Sequence, residues 1–280
     1  MIDRGIYVGG YRMGHAVLGL QFDEYIEDLG HTYVITNISE HHYRDTFPKY
    51  SLDWNKFTYI NDQDLIDAYP EILNWDKPND YRGTWLRQQA LKIASLDYID
   101  FDCFLIHDPD TFCIQPYKPL NGRTPNYFII PDTTHALEYY EVITKSLGIE
   151  RQTNHCFVSE FMPFLKEDWH TMRELLETRN NKHFLDAIID NCEPEKENNL
   201  IWFSEYEFLA NYVMTQREIK MTEQKRFPVT DIRYLDGLNS KDWNCYVDAC
   251  PNLEDSILFH EPSNVVKDLD KMVADIRSRI

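Results

Sequence analysis

The sequence has no apolar run long enough to cross a membrane and none of signal-peptide length at its start, where Asp3 and Arg4 interrupt MIDRGIYVGG. A cytoplasmic protein without stable membrane insertion is the expectation. Basic residues are also in short supply: 28 Lys and Arg face 47 Asp and Glu, for a net charge of −19. Such a surface repels the phosphates of nucleic acid and of anionic lipid, so neither is an expected partner. Cysteines are few and unpatterned. The six, at 103, 113, 156, 192, 245 and 250, form no Cys-x-x-Cys pair and no metal-ligand spacing, which leaves buried, reduced thiols as the reading. No internal repeat or low-complexity tract occurs, and 43% hydrophobic residues with 14% aromatics exclude extended disorder.

What is present suffices for a sizeable core, and one domain over 1–280 is the expectation. Gly5–Val8 reads as a short strand ending in Gly9-Gly10, and Ala16–Leu29 as a helix before Gly30. His31–Asn37 and Lys56–Ile60 read as further strands, Gly83–Leu96 as a helix and Cys103–His107 as a fourth strand. Strands alternating with helices predict an α/β fold with a mostly parallel central sheet, whose ligands sit beyond the carboxyl ends of the strands. The second half reads less regularly, with Pro- and Asn-rich connections over 116–126 and a polar surface loop over Asn191–Asn199. Val265, Leu269, Met272, Val273, Ile276 and Ile280 share one stripe of a C-terminal helix over 264–280, with Ser263 as its N-cap, packed on the body.

The central motif is the strand Cys103–His107 running into Asp108-Pro109-Asp110. In an extended turn, residues i and i+2 project to one side, and Pro109 excludes a regular helix while biasing Asp108 toward an extended backbone. Two carboxylates so placed repel each other and ask for a cation. Hard oxygen ligands suit Mn²⁺ or Mg²⁺, which binds through one or two carboxylates plus substrate phosphates. The chemical rival is an aspartyl-phosphate phosphatase loop, Asp-x-Asp-x-Thr/Val. Here Phe112 holds the fifth position and Thr111 falls one place early.

Upstream, Arg82–Ala94 divides into two helical stripes. Leu86, Ala90 and Ile93 can pack, while Arg82, Trp85, Gln89 and Lys92 share another side. Basic heads at both ends, with an aromatic ring and an amide between, suit a nucleotide diphosphate; the plainer reading is a solvated face with Trp85 half-buried.

The run Gly83-Thr84-Trp85-Leu86-Arg87-Gln88-Gln89-Ala90-Leu91-Lys92, followed by Asp108-Pro109-Asp110-Thr111-Phe112, resembles a family of GT-A-like proteins described as a domain of unknown function. His155–Phe164 resembles that family's middle motif, and Phe203-Ser204-Glu205-Tyr206-Glu207-Phe208 its Phe-Ser-Glu-Tyr-Glu motif. The likeness spans roughly residues 80 to 212, in order and with compatible gaps. Pro109 stands where the family usually has a small residue, and the first forty residues match only in outline.

The resemblance implies a GT-A, Rossmann-like, nucleotide-diphospho-sugar transferase fold and a metal-dependent glycosyltransferase. The partners so implied are a nucleotide-diphosphate sugar and a glycan or other hydroxyl acceptor, with Mn²⁺ or Mg²⁺ as cofactor. Asp108 and Asp110 are the metal candidates, joined by His260 at the end of the strand-like run Ile257–His260, since a late His often completes such sites. Donor-binding candidates at the strand ends and on the neighbouring helix are Tyr11, Thr36, Asn37, Asp62, Arg82, Trp85, Gln89, Lys92 and Asp108. An inverting transferase needs a carboxylate to deprotonate the acceptor, and Glu205, then Glu160, are the catalytic candidates, with Glu207 behind them. The plainer reading of Ser204-Glu205 is a helix start whose Tyr206 and Leu209 pack inside. A phosphatase or hydrolase using Asp108 and Asp110, and a non-catalytic nucleotide-sugar-binding relative, are the alternatives.

Overall fold

A computed structural model describes residues 1–8, 23–37, 41, 54–76, 83–109, 111–113, 116–131, 137–159, 161–192, 201–223, 258–260 and 274. Its central sheet has five strands in the order β3-β2-β1-β4-β8. These are β1 (Ile2–Val8), β2 (Leu29–Thr36), β3 (Phe57–Asn61), β4 (Cys103–His107) and β8 (Phe161–Leu165). The first four run parallel, and β8 pairs antiparallel with β4. Every residue of β4 and β8 is buried, so these strands read as continuous apolar runs rather than as alternations. Phe104 of β4 sits so close to β1 that a Cβ at position 5 would lie 2.5 Å from its ring, which is why Gly5 stands there.

Smaller sheets extend the second half. Strand β5 (Thr111–Cys113) pairs antiparallel with β10 (Leu258–His260), while β6 (Leu120–Asn121) and β9 (Lys220–Glu223) flank β7 (Thr124–Ile129). The stretch expected as an irregular connection over 116–126 therefore holds a hairpin, turned at Gly122 with φ 65°. The helices are α1 (Asp62–Ala68), α2 (Gly83–Tyr98), α3 (Glu138–Leu147), α4 (Lys166–Asn180), α5 (Phe184–Ile189) and α6 (Glu205–Gln216). No described helix is long and apolar enough to cross a membrane.

The main core gathers α2, α3, α4, α5 and α6 on one side of the sheet, with Leu86, Ala90, Ile93 and Ala94 of α2 wholly enclosed. At roughly 25 cal/mol per Å² of apolar surface, each enclosed leucine contributes about 2 kcal/mol. Across the sheet a second cluster joins Ile2, Ile26, Cys103, Leu105, Phe128 and Phe161. Cys103, Cys113, Cys156 and Cys192 are buried free thiols; Cys245 and Cys250 lie outside the described residues.

The expected helix over Ala16–Leu29 is corrected in its described part. Asp23–Tyr25 is one 3-10 turn, Ile26 bridges to Tyr117, and Leu29 already belongs to β2. Long-range contacts override helical periodicity here. Asp28 is left-handed at φ 62°, and Asp23 is drawn to the wholly buried Arg4, whose Nη1 and Nη2 donate to its two carboxylate oxygens at 2.6 and 2.8 Å. Residues 16–22, most of the 191–199 loop, and the helix over 264–280 apart from residue 274 lie outside the described residues.

Arg4 also donates to Thr32 Oγ1 at 2.9 Å, and Asp23 is its anionic partner. Asp23→Ala should therefore strand a buried guanidinium and cost about 3 kcal/mol, read as a lower urea midpoint at unchanged slope.

Candidate functional site

The chain runs outward from β1 to β2 to β3 and then returns to the other side of β1 to form β4. This reversal makes a topological switch point at the carboxyl ends of β1 and β4, the place where open α/β sheets have the opening that takes their ligands. Asp108 follows β4 directly and stands at that opening, its side chain 18% exposed. Strand β8 enters from the same end, because Phe161 pairs with His107. At the neighbouring strand ends Thr36 is buried and Asn37 exposed. Asp62 opens α1, where Asn61 caps the helix by accepting from Gln63 N–H, and lies 3.5 Å from Arg87 of α2.

Helix α2 turns its polar stripe toward this opening. Gln89 and Lys92 are as buried as the apolar stripe, and Trp85 is half-buried, so the helix is covered on both faces. Lys92 Nζ lies 2.5 Å from Asp108 Oδ1, bonds Glu205 Oε1, and donates to the Tyr206 hydroxyl at 3.3 Å. Burial opposes the charge on Lys92, but Asp108 and Glu205 outweigh it and raise the ammonium pKa above the ordinary lysine value. The Glu205 carboxyl is pushed up to about 7, first by burial, with Lys92 opposing and Asp108 adding to the rise. Assigning the Gln89 amide with its nitrogen toward Glu205 matches donors to acceptors: the nitrogen then donates to the Glu205 carboxylate, and the oxygen accepts from the Trp85 indole N–H at 3.2 Å.

Glu205 is delivered by the start of α6. Ser204 is its N-cap and accepts from Glu207 N–H, and the two acidic residues of the first turn also suit the positive end of the helix dipole. Tyr206 and Leu209 pack inside as expected. Glu207, wholly buried, turns the other way: its Oε1 accepts from Phe157 N–H at 2.9 Å, and Asn211 of the same helix accepts from Gln152 N–H at 2.9 Å. One helical turn thus ties α2, the Asp108 corner and the 152–157 segment together.

At the other side of the corner, β10 places the backbone of His260 opposite Thr111, one residue past Asp110. Tyr11, Arg82, Asp110, Glu160 and the side chain of His260 lie outside the described residues, and no cluster of three metal-ligating side chains occurs among the described ones. The pairing of Lys92 with Glu205 is the feature that sequence reasoning missed. Its signal is a lysine between Ala90, Leu91, Ile93 and Ala94, and glutamates inside the apolar run Phe203–Leu209: opposite charges in segments that must both be buried.

A family model described as a family of unknown function, DUF6492, matches residues 14–234, which takes in β2, α2, the Asp108 corner and α6. The chain belongs to the DUF6492 family. No curated protein matches this DUF6492 chain. Among solved structures, the galactosyltransferase LgtC in complex with donor and acceptor sugar analogs aligns over 99% of this chain and 96% of its own, with 11% identity and a TM-score of 0.49. An active-site mutant of LgtC aligns over 99% and 95%, with 12% identity and a TM-score of 0.47. Likenesses at this level add no weight to any functional assignment for the DUF6492 chain.

The tether at Glu207 yields a pH prediction for this DUF6492 protein. Burial, the largest influence, pushes the Glu207 carboxyl up to about 7 from 4.5, against the lowering effects of Phe157 N–H, Cys156, Arg151 and Asn211. A raised folded pKa means that this group's contribution is complete below about 4.5 and is lost as pH climbs through about 7. Glu207→Gln keeps an acceptor for Phe157 but cannot ionise. Its melting temperature relative to wild type should rise by a few degrees between about pH 5 and pH 8, in buffer-matched thermal melts.

Proposed function

We propose that this protein is a metal-dependent glycosyltransferase that moves a sugar from a nucleotide-diphosphate donor to a hydroxyl acceptor, with the donor seated in the crevice beyond β1 and β4. The observation that carries this reading is Asp108 at the switch point, sharing one buried lysine with Glu205. When Asp108 and Glu205 are both ionised, the one ammonium leaves one negative charge uncompensated in a largely desolvated place, and only the Asp108 edge is open. A hard divalent cation fits that edge, where the donors are carboxylate oxygens.

In this reading Asp108 and Asp110 hold Mn²⁺ or Mg²⁺, and His260 completes the set. The register of β10 against Thr111 brings the backbone of His260 to the corner, which supports that role. The cation would neutralise the diphosphate leaving group as the glycosidic bond breaks. The chain's own part is to fix the corner, to present Thr36, Asn37 and Asp62 at neighbouring strand ends, and to offer Trp85 at the rim of α2. Tyr11 and Arg82 complete the proposed donor contacts. For the acceptor, Glu160 is the better catalytic candidate of the two acids, since it precedes Phe161, which pairs with His107 beside Asp108.

The test is a thermal-shift series with uridine and guanosine diphosphate, with Mn²⁺, Mg²⁺ or chelator. A diphosphate approaching Asp108 in a protein of charge −19 meets repulsion unless a cation intervenes, so stabilisation should require metal. Ligand at a hundred times its dissociation constant should add about 2.7 kcal/mol, a shift of a few degrees. Asp110→Ala should abolish the metal-dependent shift and His260→Ala should reduce it. Equal stabilisation in chelator would remove the metal, and hydrolysis of simple phosphate esters without nucleotide binding would favour the phosphatase reading.

A further inference from the structure

The ammonium of Lys92 donates to Glu205 Oε1 and, at 3.3 Å, to the Tyr206 hydroxyl, and it is ion-paired with Asp108, whose Oδ1 lies 2.5 Å away. Its side chain is 1% exposed, and its Nζ sits 4.7 Å from the centre of the Tyr206 ring, which covers it further. Enclosed in this way, the ammonium is not open to a phosphate. Glu205 is equally closed, at 1% exposure, with Oε1 taken by Lys92 and the carboxylate also facing the Gln89 amide. A proton acceptor must come within hydrogen-bond reach of the acceptor hydroxyl, and these oxygens face inward. The Gln89 amide is held in turn by the Trp85 indole, so the chain of contacts runs along one helix face from the rim to the corner.

We infer that Lys92 and Glu205 are positioning residues for Asp108 and touch neither nucleotide nor acceptor: Lys92 pins one carboxylate oxygen of Asp108, Glu205 pins Lys92, and the second oxygen of Asp108 is left to the cation. Of the two basic residues Arg82 and Lys92, Lys92 then acts through Asp108. This inference rests on the metal reading above. It assigns to Glu205 a second effect, because at a pH where it is ionised this carboxylate adds its field to the cation site from the protein side.

Binding of Mn²⁺ alone, followed by the electron-paramagnetic signal of the free ion, tests it without any substrate. Glu205→Gln keeps the shape and an acceptor for Lys92 but removes one charge. It should keep the fold, by circular dichroism, and weaken Mn²⁺ binding about tenfold. Gln89→Leu, which unseats Glu205 and leaves Lys92 in place, should weaken it by a smaller factor and serves if Glu205→Gln does not fold. Lys92→Met, shown to be folded by circular dichroism, should bind uridine diphosphate at saturating Mn²⁺ with an affinity within about twofold of wild type, measured by calorimetry. Unchanged Mn²⁺ affinity in folded Glu205→Gln, or about a tenfold loss of diphosphate affinity at saturating Mn²⁺ in folded Lys92→Met, overturns the positioning role. Wild-type protein that binds no Mn²⁺ overturns instead the metal reading on which the inference stands.

Discussion

One buried ammonium shared by two carboxylates organises this molecule. Lys92 comes from the middle of α2, Asp108 from the end of β4, and Glu205 from the first turn of α6. Removing a charge from water costs several kcal/mol, so none of the three groups is tolerable inside without the others. The triad is therefore a constraint on folding as well as a feature of a site. It requires α2 and α6 to meet over the carboxyl end of β4, and the buried rings around it, Tyr206 and Tyr7, keep water from relieving that requirement.

The same turn of α6 serves a second junction through Glu207, and the two glutamates divide the labour by direction. Glu205 faces Lys92 of α2, and Glu207 faces the backbone at Phe157. A motif that reads as a candidate catalytic sequence is thus first a piece of carpentry, joining three parts of the chain that are far apart in sequence. The chemistry proposed for the site uses what this frame leaves exposed, namely the outer edge of Asp108.

Much of the architecture was legible because it is local. The apolar run Cys103–His107 could only be a strand once Asp108-Pro109 stopped it, and Gly83–Leu96 shows a helical stripe that packs as its spacing predicts. The polar stripe of α2 was legible as a face, but what it meets was not. The Lys92–Glu205 contact spans 113 residues, and no periodicity within either helix carries that information. Two local readings failed for the same reason. Asp23 answers to Arg4 rather than to a helix, and the Pro- and Asn-rich stretch after 116 is organised by pairing with β7. His260 is an intermediate case: its residue type and its place at the end of an apolar run suggest a role, and the pairing of β10 with β5 supplies the location.

That pairing also bears on when the corner takes shape during synthesis. Strand β5 starts at Thr111, but its partner β10 ends at His260, roughly 150 residues later, and closing so long a loop carries an entropic cost that local pairs avoid. A growing chain emerges with its amino end first, so the parallel strands and the lysine clamp can assemble while β10 is still unmade. The last stroke of the site is then a strand arriving from the far end of the polypeptide. Until it does, the half-made chain carries the Asp108 corner without the strand that pairs beside it.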